Sequence, residues 1–153
     1  MDFSEIICFN IKPDLKNIGA LMTTIDNSKL MELAKEAAQI AYAPYSKFLV
    51  GAAALYESGK YYTGCNVENS SYGLSLCAER NAISSAIAQG EKTSLKKIAI
   101  YSPGKKMCMP CGACRQWIAE FTEDKDVEII VEAGDSQCAV FKIADLLPHS
   151  FSL

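Results

Sequence analysis

A chain of 153 residues, half of them hydrophobic and 22% charged, fits a single globular domain with one buried core. Its net charge is −3 and it has no run of Lys or Arg. Binding a polyanion rests on many phosphate-neutralising contacts, so a nucleic acid is not expected as the substrate and a small molecule is.

Residues 1–24 show no clean periodicity and read as a partly ordered extension ahead of a catalytic domain over residues 25–153. Helix signals begin at Asn27. Asn27 or Ser28 can cap, and Leu30, Leu33, Ala34, Ala37 and Ala41 fall on one face before Pro44 ends the helix. Phe48 to Tyr56 reads as a strand, Glu57-Ser58-Gly59-Lys60 as a turn, and Tyr61 to Asn66 as the hairpin partner. A second helix is expected from Cys77 to Ala88, with Gly90 just past its end. Lys97 to Tyr101 reads as a strand and Cys111 to Phe121 as a third helix. Strands follow at Val127 to Glu132 and Cys138 to Phe141, and a short helix spans Ile143 to Leu147. Strands alternating with helices favour a mixed sheet covered on both faces.

No apolar run approaches the roughly 20 residues needed to cross a bilayer, and Met1-Asp2-Phe3-Ser4-Glu5 lacks the basic start of a secretory signal. Seven cysteines is an odd count, and three cluster as Cys108, Cys111 and Cys114. That suits a reducing compartment and metal binding better than a disulfide framework, so a cytoplasmic location is expected.

The chemistry concentrates in Cys77-Ala78-Glu79-Arg80 and Pro110-Cys111-Gly112-Ala113-Cys114. Cys111 and Cys114 are three apart and share one face of a first helical turn. Cys77 starts another helix, where the positive end of the helix dipole favours a thiolate. Structural zinc sites close with four protein ligands, whereas catalytic sites keep three and leave one position for water. The alternative is a closed site that also uses Cys108. The spacing fits the zinc-deaminase signature, in which a first His or Cys is followed by a non-ligand Glu and then by Pro-Cys-x-x-Cys. Glu79 can face the metal only if Cys77 sits at the helix cap, because positions two apart on a helix diverge. Three thiolates leave Zn²⁺ with a net charge of −1, which weakens it as a Lewis acid. Arg80, three residues from Cys77, can drain charge from sulfur by hydrogen bonding. Cys8, Cys65, Cys108 and Cys138 read as small buried hydrophobes.

Further stretches extend this pattern: Tyr42-Ala43-Pro44-Tyr45-Ser46-Lys47-Phe48, Val50-Gly51-Ala52-Ala53, Gly64-Cys65-Asn66-Val67-Glu68-Asn69 and Leu146-Leu147-Pro148. With the zinc segments, they make the chain resemble the short-chain homotetrameric cytidine deaminases of pyrimidine salvage, over roughly residues 28–151. The resemblance implies an α/β fold: a three-layer α-β-α sandwich around a mixed five-stranded sheet. It also implies one Zn²⁺ per subunit on Cys77, Cys111 and Cys114, with Glu79 as the proton shuttle and Arg80 bonded to thiolate. The reaction implied is deamination of cytidine and deoxycytidine, with no nucleic acid or membrane as partner.

The resemblance assigns Asn66 and Glu68 to the ribose hydroxyls, Phe48 and Tyr72 to packing base and ribose, and the Ala78 N–H to the pyrimidine carbonyl. Asn66 and Glu68 could otherwise form a polar turn, and Phe48 and Tyr72 plain core. Phe151 matches an aromatic that reaches an active site near a subunit boundary, in its own or a neighbouring chain. His149 is expected to be exposed, and Trp117 to pack in the core or at an interface. The rival readings are a deaminase of another cytosine nucleoside and a non-catalytic module stapled by zinc.

Overall fold

Asp26, one residue ahead of the expected caps, begins the first helix. Its carboxylate accepts the Lys29 N–H at 2.8 Å. The computed structural model describes residues 25–123, 125–135 and 137–151. The extension expected over residues 1–24, with Cys8 in it, lies outside the described residues. Helix α1 (Asn27–Gln39) buries Leu30, Leu33, Ala34 and Ala37 as its periodicity predicts, but it stops well short of Pro44. The reason is a competing backbone partner. Tyr42 N–H donates to Asn66 C=O at 3.0 Å and Tyr42 C=O accepts from Glu68 N–H at 2.8 Å, which draws the chain into an extended bridge.

Strands β1 (Gly51–Tyr56) and β2 (Tyr61–Cys65) form the expected hairpin. β1 starts three residues later than Phe48, because the side chain of Asn66 holds that approach. It accepts from Val50 N–H and donates to Phe48 C=O, both at 2.8 Å. A single 3₁₀ turn over Tyr72–Leu74, unforeseen in the sequence, precedes α2 (Ala78–Ala88). Gly90 follows that helix at φ +82°, as a C-terminal glycine should. The rest is β3 (Leu95–Tyr101), α3 (Gly112–Glu120), β4 (Glu128–Gly134), β5 (Gln137–Lys142) and α4 (Ile143–Leu146).

The five strands lie in the order β2-β1-β3-β4-β5, with only the β3–β4 pair parallel. Side chains alternate between the two faces, which sorts the core into two parts. Ala53, Ala99 and Ile130 pack against α1, whereas Ala52, Ala54, Ile98, Ile100, Ile129 and Val131 pack on the α2 and α3 side. The sandwich is therefore the expected three-layer one. Each fully buried Ile or Val contributes about 1.5–3 kcal/mol by leaving water.

Two glycines set how closely the layers approach. A Cβ at Gly51 would lie 2.1 Å from the Ala34 carbonyl oxygen of α1. One at Gly64 would lie 2.3 Å from Ala82 N and 2.7 Å from the Ala78 oxygen of α2. Gly64 thus seats the first turn of α2 directly on β2 and puts Cys77 beside the exit of that strand. Among the described residues, no helix is long and apolar enough to cross a membrane.

One buried carboxylate ties the far end of the sheet together. Glu91, past α2, accepts from Ser58 Oγ at 2.7 Å, Tyr62 OH at 3.2 Å, Thr93 Oγ1 at 2.8 Å, and the N–H groups of Lys92 and Thr93 at 3.0 Å each. The Thr93 N–H, then the Ser58 and Thr93 hydroxyls, pull its pKa from 4.5 down to about 2. A lowered folded-state pKa contributes stability that is fully present above the unfolded value and lost on acidification. The wild-type chain should therefore lose stability between about pH 4.5 and pH 2. Glu91→Gln should flatten the urea midpoint across that window, and an unchanged slope would assign the acid sensitivity to other groups.

Candidate active site

Cys77 and Cys111 are the N-cap residues of α2 and α3, each with extended backbone (ψ 153° and 167°) and no side-chain cap bond. Cys114 lies in the first turn of α3 and is fully buried. The two helices start face to face, so all three sulfurs lie within 4.8 Å of one another and Cys77 Sγ is 3.9 Å from Cys111 Sγ. Zinc–sulfur bonds of about 2.3 Å in a tetrahedron require sulfurs about 3.8 Å apart, so this donor set fits Zn²⁺. Cys108 is buried but stands outside the cluster, which leaves three protein sulfurs among the described residues.

The cap position of Cys77 answers the spacing problem for Glu79. Because the cap is not yet helical, Glu79 in the first turn can turn toward the same point. Glu79 is only 4% exposed. Burial, reinforced by the charge on Cys77, raises its pKa from 4.5 to about 7. Cys77 moves the other way, to about 5, held by a hydrogen bond from Cys114 and by the Arg80 guanidinium. The hydrogen bond to that thiolate, together with burial, raises Cys114.

Arg80 Nη2 donates to Cys77 Sγ at 3.8 Å and to the Ser75 carbonyl at 3.1 Å. Its Nε is buried with no protein partner. Arg80 is thus a cation turned inward onto the sulfurs rather than outward to solvent, as the sequence reading required. The two residues after the last cysteine hold loops in place. Arg115 donates from Nε to Pro110 C=O at 2.9 Å and from Nη1 to Leu146 C=O at 3.1 Å, and Gln116 donates to Phe151 C=O at 3.0 Å.

A cavity of about 570 Å³ opens above the sulfurs, in the size range of small-molecule sites. Phe48, Asn66, Glu68, Tyr72, Cys77, Ala78, Glu79 and Cys111 all line it, so the structure gathers nearly every expected site residue into one space. A Cβ at Gly104 would lie 3.8 Å from the Phe48 ring. Tyr72, on the 3₁₀ turn, is 81% exposed and stands at the rim. Asn66 has its amide engaged by the Phe48–Val50 backbone, so it shapes the wall as well as facing the cavity. Among the expected substrate contacts Phe151 is the exception: it is exposed and is not among the lining residues of its own chain's cavity, while Cys114 and Arg80 lie behind that lining.

Glu68 is held more firmly than its spacing suggests. One carboxylate oxygen accepts the N–H groups of Tyr45 at 2.9 Å and Ser46 at 3.2 Å, and the other accepts the Ser46 hydroxyl. These bonds, the Ser46 hydroxyl first, lower its pKa from 4.5. Sequence reasoning gave no role to Tyr45 and Ser46, or to Met109 and Leu76 in the cavity wall. Only the Tyr-Ser-Lys-Phe stretch itself hinted at the first two.

Some expectations about packing need correction. Trp117 is 40% exposed, its ring 6.3 Å from Phe121, so of its two expected places it does not take the core. Cys65 and Cys138 are half-buried rather than buried, and Cys65 donates to the Ile40 carbonyl. His149 is exposed, as expected.

The sequence and fold match known proteins over most of their length. Residues 24–131 match the family model of the cytidine and deoxycytidylate deaminase zinc-binding region. A cytidine deaminase of Sporosarcina psychrophila is 44% identical over 129 residues, covering 84% of this chain and 93% of its own. Among solved structures, the cytidine deaminase of Burkholderia pseudomallei superposes with a TM-score of 0.74 at 44% identity, covering 80% of this chain and 96% of that one. That of Mycobacterium tuberculosis gives a TM-score of 0.72 at 40% identity, covering 84% and 98%. With two helix caps meeting at three cysteines, and a buried glutamate beside them, this chain belongs to the zinc-binding cytidine and deoxycytidylate deaminase family.

Proposed function

We propose that this protein hydrolytically deaminates cytidine and deoxycytidine to uridine and deoxyuridine, releasing ammonia, as a cytoplasmic enzyme of pyrimidine salvage. The observation that carries the proposal is the buried carboxyl of Glu79, next to the Cys77–Cys111–Cys114 cluster, in a cavity whose wall also holds the carboxylate of Glu68. One Zn²⁺ per chain, held by the three cysteines, supplies Lewis-acid activation of the hydrolytic water. Glu79 removes a proton from that water and delivers protons to N3 of the pyrimidine and to the departing amine. The Ala78 N–H, at the uncapped start of α2, donates to the pyrimidine carbonyl and fixes the ring's orientation. Arg80 draws charge from Cys77 and so keeps the site electrophilic.

Glu68 accepts the 3′-hydroxyl, with Asn66 beside it, and a 5′-phosphate would meet this fixed negative charge. Phe48 and Tyr72 pack against base and sugar. Phe151 completes the site of a neighbouring subunit in a homotetramer. That reading is supported by its distance from its own cavity and by the exposed Tyr42, Tyr72 and Leu74, which a second chain would cover. The direct test is uridine and ammonia formation by purified protein from cytidine, deoxycytidine, cytosine, cytidine 5′-monophosphate and blasticidin S. Turnover of the first two alone supports the proposal. Efficient turnover of free cytosine contradicts the ribose reading.

Glu79→Gln should keep zinc, measured by plasma emission, yet lose about 10²–10⁴-fold in kcat; near-normal turnover would remove Glu79 from the mechanism. Glu68→Gln should raise KM for cytidine about tenfold or more, with the thermal midpoint little changed. An unaltered KM would place the sugar elsewhere. Tail truncation from residue 148 should weaken substrate binding at full zinc content. Oligomers mixed from truncated and Glu79→Gln chains should regain part of the activity, and their inactivity would count against a shared site.

A further inference from the structure

A single hydroxyl joins the two walls of the cavity. Residues 43–48 form a tight turn between α1 and β1 in which four successive backbone N–H groups are committed. Tyr45 and Ser46 donate to Glu68, Lys47 donates to Ala43 C=O at 3.1 Å, and Phe48 donates to Ser46 Oγ at 3.0 Å. Ser46 Oγ in turn donates to the second oxygen of Glu68. Lys47 adopts φ +57°, a conformation that a lysine seldom takes and that reverses the chain so Phe48 N–H can reach back to the hydroxyl. Phe48 and Glu68, from the two separate segments, both line the cavity.

We infer that Ser46 is a positioning residue for sugar recognition: its hydroxyl and N–H orient the Glu68 carboxylate. This inference rests on the proposed nucleoside reading and adds to it the residue that orders the ribose contact before substrate arrives. An exposed carboxylate on a free side chain samples several rotamers and loses that freedom on binding. With three donors already fixing both oxygens, Glu68 presents its remaining lone pairs in one direction. Ser46 touches neither the sulfur cluster nor Glu79, so its contribution belongs to binding and not to the proton transfers.

The test compares wild-type protein with Ser46→Ala and Ser46→Thr, each checked for zinc content and thermal midpoint. Ser46→Ala should raise KM for cytidine about tenfold, as expected for loss of one hydrogen bond to a charged group, with kcat within about twofold. The inhibition constant of 2′,3′-dideoxyuridine, which lacks both sugar hydroxyls, should stay the same. Ser46→Thr, which keeps the hydroxyl, should restore KM. The effect of Ser46→Ala should also vanish in a Glu68→Gln background. An equal loss of affinity for both ligands, an unchanged KM, or a fall in kcat alone would overturn the inference. A wild type with no turnover of cytidine would instead contradict the nucleoside reading, and this inference with it.

Discussion

Everything in this site depends on two helices beginning at the same point. Cys77 and Cys111 are both N-caps, and a cap has extended backbone, so each sulfur projects past the end of its helix instead of along its side. That geometry brings the sulfurs to 3.9 Å, and it frees Glu79 to face them from the first turn. Gly64 is the remote condition for this. Without a side chain there, α2 lies against β2, and the start of α2 meets the strand exit that carries Asn66 and Glu68. A larger residue would lift α2 away from that strand exit.

Two glutamates in one cavity show how environment divides labour. Glu79 is buried with few donors, and loss of solvent raises its pKa to about 7. Glu68 lies in the open, gathers donors from Tyr45 and Ser46, and its pKa falls. A carboxyl that titrates near neutrality suits repeated proton transfer, whereas one locked as an anion suits a hydroxyl donor. In the proposed function, the same residue type therefore serves chemistry at one end of the cavity and recognition at the other.

Much of this was legible in the sequence, for identifiable reasons. The Cys77, Cys111 and Cys114 spacing maps directly onto helix starts, and periodicity located every α-helix and strand of the described chain. What escaped were features set by distant partners. The end of α1 depends on Tyr42 bridging to Val67, and the start of β1 depends on the Asn66 amide, neither of which local pattern encodes. Ser46 drew no role from the sequence because its partner, Glu68, is 22 residues away. Of the two places expected for Trp117, core or interface, its 40% exposure excludes the core.

The central claim is a metal held by three sulfurs with one position left for the reacting water. X-ray absorption at the zinc edge of the purified protein measures this directly. The account predicts three sulfur neighbours at about 2.3 Å and one lighter neighbour at about 2.0 Å. Four sulfur neighbours would contradict it, because a closed site leaves no place for the chemistry.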